Sequence, residues 1–276
     1  MFEHALVAVD LVPSGDLLVG CAPELKALGT TRLTVLHVAP VDYPVVGAVA
    51  HLDEYREQLE TLAEDLRRRG FDVGTAVRPG NPAREILRAA KETGASLILL
   101  ASRSRNRLRE KFIGSVTLKV LGESTLPVLF VRIEPDATEG GAPLIPYCCP
   151  MDGPIFVATD FSPSAERAVA LATALAREGA GRPVTVLHAA GPDGQNRLDA
   201  LAAKLRTEGV SDIEVKLLEG EPEEAIRDAL SDVGDALLVM GTRGMGLIGR
   251  LALGSVSRAV LGDARIPVLL VPEAAS

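Results

Sequence analysis

"ALVAVDLVPS", Ala5–Ser14, returns in the second half of the chain as "IFVATDFSPS", Ile155–Ser164. In both, a short apolar run stops at an aspartate, Asp10 or Asp160, and a Pro-Ser pair follows, Pro13-Ser14 or Pro163-Ser164. Such a stretch is a strand that turns into a helix. Proline suits the first helical turn because the N–H it lacks would have no partner there. The echo continues in order. "LTVLHV" (Leu33–Val38) matches "VTVLHA" (Val184–Ala189), "RPGNPAREIL" matches "LEGEPEEAIR", and "LPVLFV" (Leu126–Val131) matches "IPVLLV" (Ile266–Val271). Four ordered matches at a period of about 140 residues describe a duplicated unit, two tandem domains rather than a solenoid.

Within the second copy the apolar runs fall at 154–159, 184–189, 213–218, 236–240 and 267–271. Their brevity and near-continuous hydrophobicity suit parallel strands buried on both faces. Helical periodicity fills the gaps. Leu52, Tyr55, Leu59, Leu62 and Leu66 recur at three- and four-residue steps before Gly70. Asn81-Pro82 and Ser162-Pro163 are helix starts, and Gly179 a helix stop. Five strands alternating with four helices imply right-handed crossovers and an open α/β sheet covered on both faces. The expected organisation is a first domain over 1–133, a Pro- and Gly-rich linker over 134–152, and a second domain over 153–276. The first copy carries about 11 more residues after its second strand, near "VDYPVVGAVA", a variable loop or else a flap or interface segment. Pairing the last strands, near 127–132 and 267–271, about a pseudo-twofold axis would cover two exposed edges.

Composition narrows the partners. With 29 basic against 37 acidic side chains the net charge is −8, which argues against general nucleic-acid or anionic-membrane binding. No run approaches the roughly 18 apolar residues of a membrane span, and the start "MFEHALVAVD" has no signal-peptide pattern. A cytoplasmic protein is expected. Cys21, Cys148 and Cys149 form neither a disulfide framework nor a metal-ligand spacing.

Ligands of such sheets bind beyond the carboxyl ends of the strands, where strand order reverses. Three segments of the second copy converge there: 158–160, 188–190 and 240–255. The last holds "GTRGMGLIGRLALGS", Gly241–Ser255. Gly241 and Gly244 would let backbone approach a ligand, and Gly254-Ser255 opens a helix whose free N–H groups favour a phosphate. Asp160, acceptor-only when ionised, suits ribose hydroxyls. Taken singly, each glycine is also explained by a turn or by helix packing. "GMGLIG" matches G-x-G-x-x-G, but a dinucleotide fingerprint belongs after the first strand, not the fourth. A Walker loop is absent, because Ser255 and not lysine follows Gly254.

These residues resemble the universal stress protein family in its tandem form. The motif G-x2-G-x9-G-[ST] is met by Gly241, Gly244, Gly254 and Ser255, with support from "VATDFSPSAERAVALA" and "GSVSRAVLGDARIPVLLVP". The resemblance implies two Rossmann-like (adenine nucleotide alpha hydrolase-like) domains, each a five-stranded parallel sheet of order 3-2-1-4-5. It also implies bound ATP, with or without Mg²⁺. By position Asp160 and Gly241 would contact ribose, and Ala189 would meet adenine through its backbone. Ala158 and Met240 would line the pocket, with Thr159, Thr242 and Arg243 beside it. Gly244, Gly254, Ser255 and Val256 would hold phosphates. Ala158 stands where some members have proline.

The first copy keeps Asp10, Val38, Gly114 and Ser115, but Ala101 and Ser104 replace two glycines, so its site is expected to be empty or weak. A side chain there would narrow the backbone approach and disfavour positive φ. Arg103, Arg105, Arg107, Arg109 and Lys111 follow, a solvated basic loop or a phosphate clamp. His37 and His188 end the second strands as core histidines bonded to backbone, with acid–base work the alternative. Arg243 and Arg250 either screen phosphate or face solvent, and adjacent Cys148-Cys149 is weakly placed for redox sensing.

The leading expectation is a nucleotide-regulated stress protein with ATP in the second copy. A nucleotide-free scaffold and a slow ATP hydrolase are the alternatives. No catalytic residue and no metal ligand is assigned. Dimerisation of whole chains follows only by family analogy.

Overall fold

A computed structural model of the chain describes residues 1–11, 13–39, 52–103, 113–135, 144–148, 150–178, 181–189, 193–244 and 253–273. The first unit runs β1 (His4–Val9), α1 (Pro13–Cys21) continued by a 3-10 segment (Ala22–Leu28), β2 (Arg32–Ala39), α2 (Leu52–Arg68), β3 (Asp72–Pro79), α3 (Pro82–Thr93), β4 (Leu97–Arg103), α4 (Ser115–Glu123) and β5 (Val128–Pro135). After β6 (Leu144–Pro146) the second unit repeats the pattern. It comprises β7 (Ile155–Ala158), α5 (Pro163–Glu178), β8 (Val184–Ala189), α6 (Gly194–Thr207), β9 (Ile213–Leu218), α7 (Pro222–Leu230), β10 (Leu237–Gly241), α8 (Ser255–Asp263) and β11 (Val268–Val271).

Local chemistry sets the helix limits. Asn81 Oδ1 accepts from Arg84 N at 3.2 Å, capping α3, and Gly94 closes it in the left-handed conformation (φ 67°). Gly70, at φ 87°, ends α2 in the same way. Ser162 Oγ accepts from Ala165 N at 3.4 Å where α5 begins. The stop expected at Gly179 and the insertion "VDYPVVGAVA" lie outside the described residues.

Each unit has strand order 3-2-1-4-5, all parallel, and the two sheets are one. The combined order is β3-β2-β1-β4-β5-β11-β10-β7-β8-β9. At its centre β5 and β11 pair antiparallel, Phe130 opposite Val268, Leu129 opposite Leu269 and Val128 opposite Leu270, as the two open edges required. Successive strand residues feed two cores. Leu97, Leu99, Leu237 and Val239 point to the side of α1, α2, α5 and α6. Ile98, Leu100, Leu238 and Met240 point to the side of α3, α4, α7 and α8. That two-sided burial explains the unbroken apolar runs.

Two arginines cross the seam. Arg132, buried on β5, donates to the carbonyls of Leu261 and Gly262 at the end of α8. Arg243, after β10, donates to the Gly122 carbonyl at the end of α4 at 3.2 Å. Gly122 and Gly262 hold the same place in the repeat. Each central helix thus ends on a cation from the opposite unit, where the helix dipole favours positive charge.

Two expectations change. Part of the linker is ordered as β6, which lies antiparallel on β5 with Ile133 opposite Pro146 and Pro135 opposite Leu144. And the cysteines do form a disulfide, Cys21–Cys148, with Cα atoms 5.6 Å apart. The partners are 127 residues apart. Only the return of β6 along β5, beside α1, brings them together, which no sequence spacing records. Cys149 lies outside the described residues. Among the described residues no helix is long and apolar enough to cross a membrane.

Candidate functional site

β7 is the switch point of the second unit. The chain leaves it to one side through β8 and β9 and returns on the other through β10 and β11. The carboxyl ends of β7, β8 and β10 lie at this edge, and Gly254 at the start of α8 sits beside Arg243 and Gly244. Ala158 lies in register with Met240 on one side and Leu187 on the other, and both Ala158 and Met240 are buried. Ala189 ends β8, half-buried.

Residues 159–162 form a tight, self-bonded turn. Phe161 N donates to Thr159 Oγ1 and Ser162 N to Asp160 Oδ1, each at 3.0 Å. Between them Phe161 adopts φ 61°, and Leu11 at the matching place of the first unit adopts φ 46°. A left-handed bulky residue costs on the order of 1–3 kcal/mol, so these turns persist because their surroundings dictate them. Phe161 packs edge-on against His188, ring centroids 4.9 Å apart, and the Arg197 guanidinium lies 3.8 Å from the Phe161 ring centre.

The histidines behave alike in both units. His188 Nδ1 donates to the Thr159 carbonyl at 2.8 Å, and His37 Nδ1 to the Val9 carbonyl at 3.0 Å. A carbonyl only accepts, so Nδ1 carries the proton. Each ring clips the end of the second strand to the end of the first, the backbone-bonded core role expected of it.

The motif glycines divide by purpose. None of Gly241, Gly244 and Gly254 has positive φ, so the conformational part of the expectation falls away. A Cβ on Gly241 would lie 2.9 Å from Ala165 N and 3.0 Å from the Ser164 carbonyl carbon, closer still to Ser164 Oγ. Gly241 is therefore small so that α5 can pack on β10, and no ligand is needed to explain it. A Cβ on Gly244 would lie 2.6 Å from Asp160 Oδ2. Gly254 is looser, its nearest neighbour the Thr242 carbonyl oxygen at 3.4 Å.

The loop is anchored from behind. The Arg243 carbonyl accepts from Ser162 Oγ at 3.2 Å and from Ser164 Oγ at 2.5 Å. Thr242 N donates to the Val271 carbonyl at 3.0 Å, Gly254 N to the Thr242 carbonyl at 2.9 Å, and Ser257 Oγ to the Gly241 carbonyl at 2.9 Å. Gly254 precedes α8, which has no side-chain cap, with Ser255 exposed and Val256 half-buried in its first turn. Arg243 itself points elsewhere. Its guanidinium serves Gly122 across the seam and stands 3.9 Å from Glu273 Oε2. Gly246, Gly249 and Arg250 lie outside the described residues.

In the first unit Asp10 is exposed, Val38 is buried and Gly114 precedes α4, with Ser115 exposed. Gly114 N donates to Ser102 Oγ at 3.1 Å, and Thr117 Oγ1 lies 3.4 Å from the Ala101 carbonyl. A Cβ on Gly114 meets nothing closer than 3.8 Å. Ser104, Arg105, Arg107, Arg109 and Lys111 lie outside the described residues, as does the Arg103 side chain. Tyr55 packs against His37 with its ring tilted by 56° and the centroids 4.8 Å apart, and the corresponding position of the second unit is Gly194, where a Cβ would lie 3.1 Å from His188 Cδ2. Ser162 and Ser164 anchor the loop as well as starting the helix, and Arg197 had no signal in the sequence. Only the Ser-Pro-Ser context of the first two carried any signal, and that signal was for a helix start.

Fold and site define a class, a fused pair of doubly wound α/β units with a glycine-bearing loop and an uncapped helix at the switch point of the second. The universal stress protein family model matches residues 1–132 and 191–272, and the chain belongs to that family. It is 34% identical over 148 residues to the universal stress protein YxiE of Bacillus subtilis, a match spanning 48% of this chain and 100% of that protein. Against the universal stress protein Rv2005c of Mycobacterium tuberculosis it is 27% identical over 278 residues, covering 90% of this chain and 89% of the other. The crystal structure of a universal stress protein from Archaeoglobus fulgidus superposes with a TM-score of 0.80 at 22% identity, over 99% of both chains, a likeness of fold.

Proposed function

We propose that the second unit binds an adenine nucleotide, ATP with or without Mg²⁺, and that occupancy regulates the protein rather than feeding a rapid turnover. One observation carries this reading. The N-terminus of α8, without a side-chain cap, opens beside the loop in which Gly244 leaves room for the carboxylate of Asp160 that a Cβ would fill. Unpaired helix N–H groups and the helix dipole favour phosphate oxygens, and a carboxylate alongside favours sugar hydroxyls. Buried Ala158 and Met240, with the Ala189 backbone, offer a flat base an apolar wall. The residues present therefore fit a nucleotide. Among the described residues no three His, Cys, Asp or Glu side chains converge on a metal. The cytoplasm is the expected compartment, and a homodimer the expected assembly.

Mass spectrometry of gently purified, then denatured protein tests this directly. About one adenine nucleotide per chain is expected, unchanged in a Gly114→Val variant. No nucleotide, together with no heat on titrating Mg-ATP, would leave the nucleotide-free scaffold as the correct account.

A further inference from the structure

We propose that Cys21 and Cys148 are a reversible dithiol–disulfide site, a staple that fastens the segment between the units onto the first helix. Cys21 is the last residue of α1 and is wholly buried, whereas Cys148, just past β6, is half-exposed. Their Cα separation of 5.6 Å lies in the middle of the range that disulfides span. The main chain holds Cys148 in this place from both sides. Before it, Tyr147 N donates to the Arg132 carbonyl at 2.8 Å. After it, Met151 is fully buried and the Gly153 carbonyl accepts from Arg182 Nε at 2.7 Å. The reduced state is also provided for, since the Leu17 carbonyl stands 3.3 Å from Cys21 Sγ and would accept from the thiol once the disulfide is reduced.

Unequal access sets the order of the chemistry. A small disulfide oxidant, RSSR, meets Cys148 first. The Cys148 thiolate attacks one sulfur, the R–S–S–R bond breaks, RS⁻ leaves and a mixed disulfide remains on Cys148. The Cys21 thiolate then attacks Cys148 Sγ and expels the second RS⁻. Two protein thiols are oxidised, one small disulfide is reduced, and the two protons end on two RSH. A dithiol reductant runs the steps backwards, entering at Cys148. The bond closes a long loop and braces Arg132, the residue that bridges to α8. In a compartment that keeps thiols reduced, such a pair reports oxidation rather than serving as permanent structure.

The full chain equilibrated with glutathione disulfide, then denatured and alkylated, is expected to show one free thiol of its three cysteines. It should also yield a Cys21–Cys148 cross-linked peptide that dithiothreitol removes. In a Cys149→Ser background, Cys21→Ser should trap glutathione on Cys148, while Cys148→Ser should leave Cys21 unmodified in the folded protein. Reduction should lower the Tm of the parent by about 5–15 °C and leave that of Cys148→Ser unchanged. Three free thiols after oxidation, equal modification of Cys21 and Cys148, or a parent Tm indifferent to reductant would each overturn the proposal.

Discussion

Asp160 faces Gly244 so closely that a Cβ on the glycine would stand 2.6 Å from Oδ2 of the carboxylate. This contact joins the loop after β7 to the loop after β10 at the mouth of the candidate site. Gly241, only three positions earlier, faces the opposite way, into the backbone of α5. The two motif glycines should therefore fail differently. Gly244→Val is expected to weaken adenine-nucleotide binding by about 100-fold or more with little change in Tm, because only a side-chain terminus must move. Gly241→Ala should cost about 1–3 kcal/mol of stability, because it meets fixed backbone. Calorimetric titration and chemical denaturation of both variants check this, and an equal loss of stability in the two would contradict it.

Arg132→Ala should open the seam. It leaves the Leu261 and Gly262 carbonyls without their charged donor inside the protein. The expected cost is about 3 kcal/mol. Scanning calorimetry should resolve two transitions where the parent shows one, and a single transition at the parent's temperature would refute the role given to this arginine.

Acid should destabilise the chain through His4. Burial, and then the nearby Arg32 charge, hold its pKa below the ordinary histidine value of 6.5. Arg32 donates to Nδ1 at 2.9 Å, so Nε2 carries the proton toward Thr34 Oγ1, also at 2.9 Å. Protonating Nδ1 would break the first bond. As pH falls through 6.5 the unfolded chain takes up a proton that the folded chain still refuses, so stability falls with it. Tm measured between pH 7.5 and 5.5 should drop more for the parent than for His4→Gln, and parallel curves would exclude His4 as the cause.

Arg182 poses the opposite case. It is buried, donates through Nε to the Gly153 carbonyl, and its two terminal nitrogens find no hydrogen-bond partner among the described residues. Burial pulls its pKa below the usual arginine value, against the opposing pull of Asp152. Arg182→Met should be neutral or stabilising, by up to about 2 kcal/mol, since it removes a poorly compensated charge and keeps the stem. Urea denaturation decides the point, and a clear loss of stability would show that the guanidinium is better satisfied than its contacts indicate.

Much of this architecture was legible in the chain. The repeat located both units, and unbroken apolar runs marked strands covered on both faces. The open edges at 127–132 and 267–271 called for the pairing that β5 and β11 make. His37 and His188 matched because they occupy one position of one repeat. The candidate site was legible as a neighbourhood, since strand order alone brings Asp160, Gly244 and Gly254 to one edge. The duty of each residue within it was not. Gly241 and Gly244 look alike in the motif, yet one faces α5 and the other Asp160.

The two-unit α/β fold, and the edge where the candidate residues gather, were readable locally, because strand burial, helix starts and turns are encoded within a few neighbouring residues. Tertiary structure alone decided the Cys21–Cys148 bond, the passage of Arg132 and Arg243 across the seam, and the division of labour among the glycines. These depend on partners 127, 129 and 121 residues apart, or on which neighbour fills the space beside an α-carbon. Such proximities exist only once the chain has folded, and those of Arg132 and Arg243 only once the two sheets have joined.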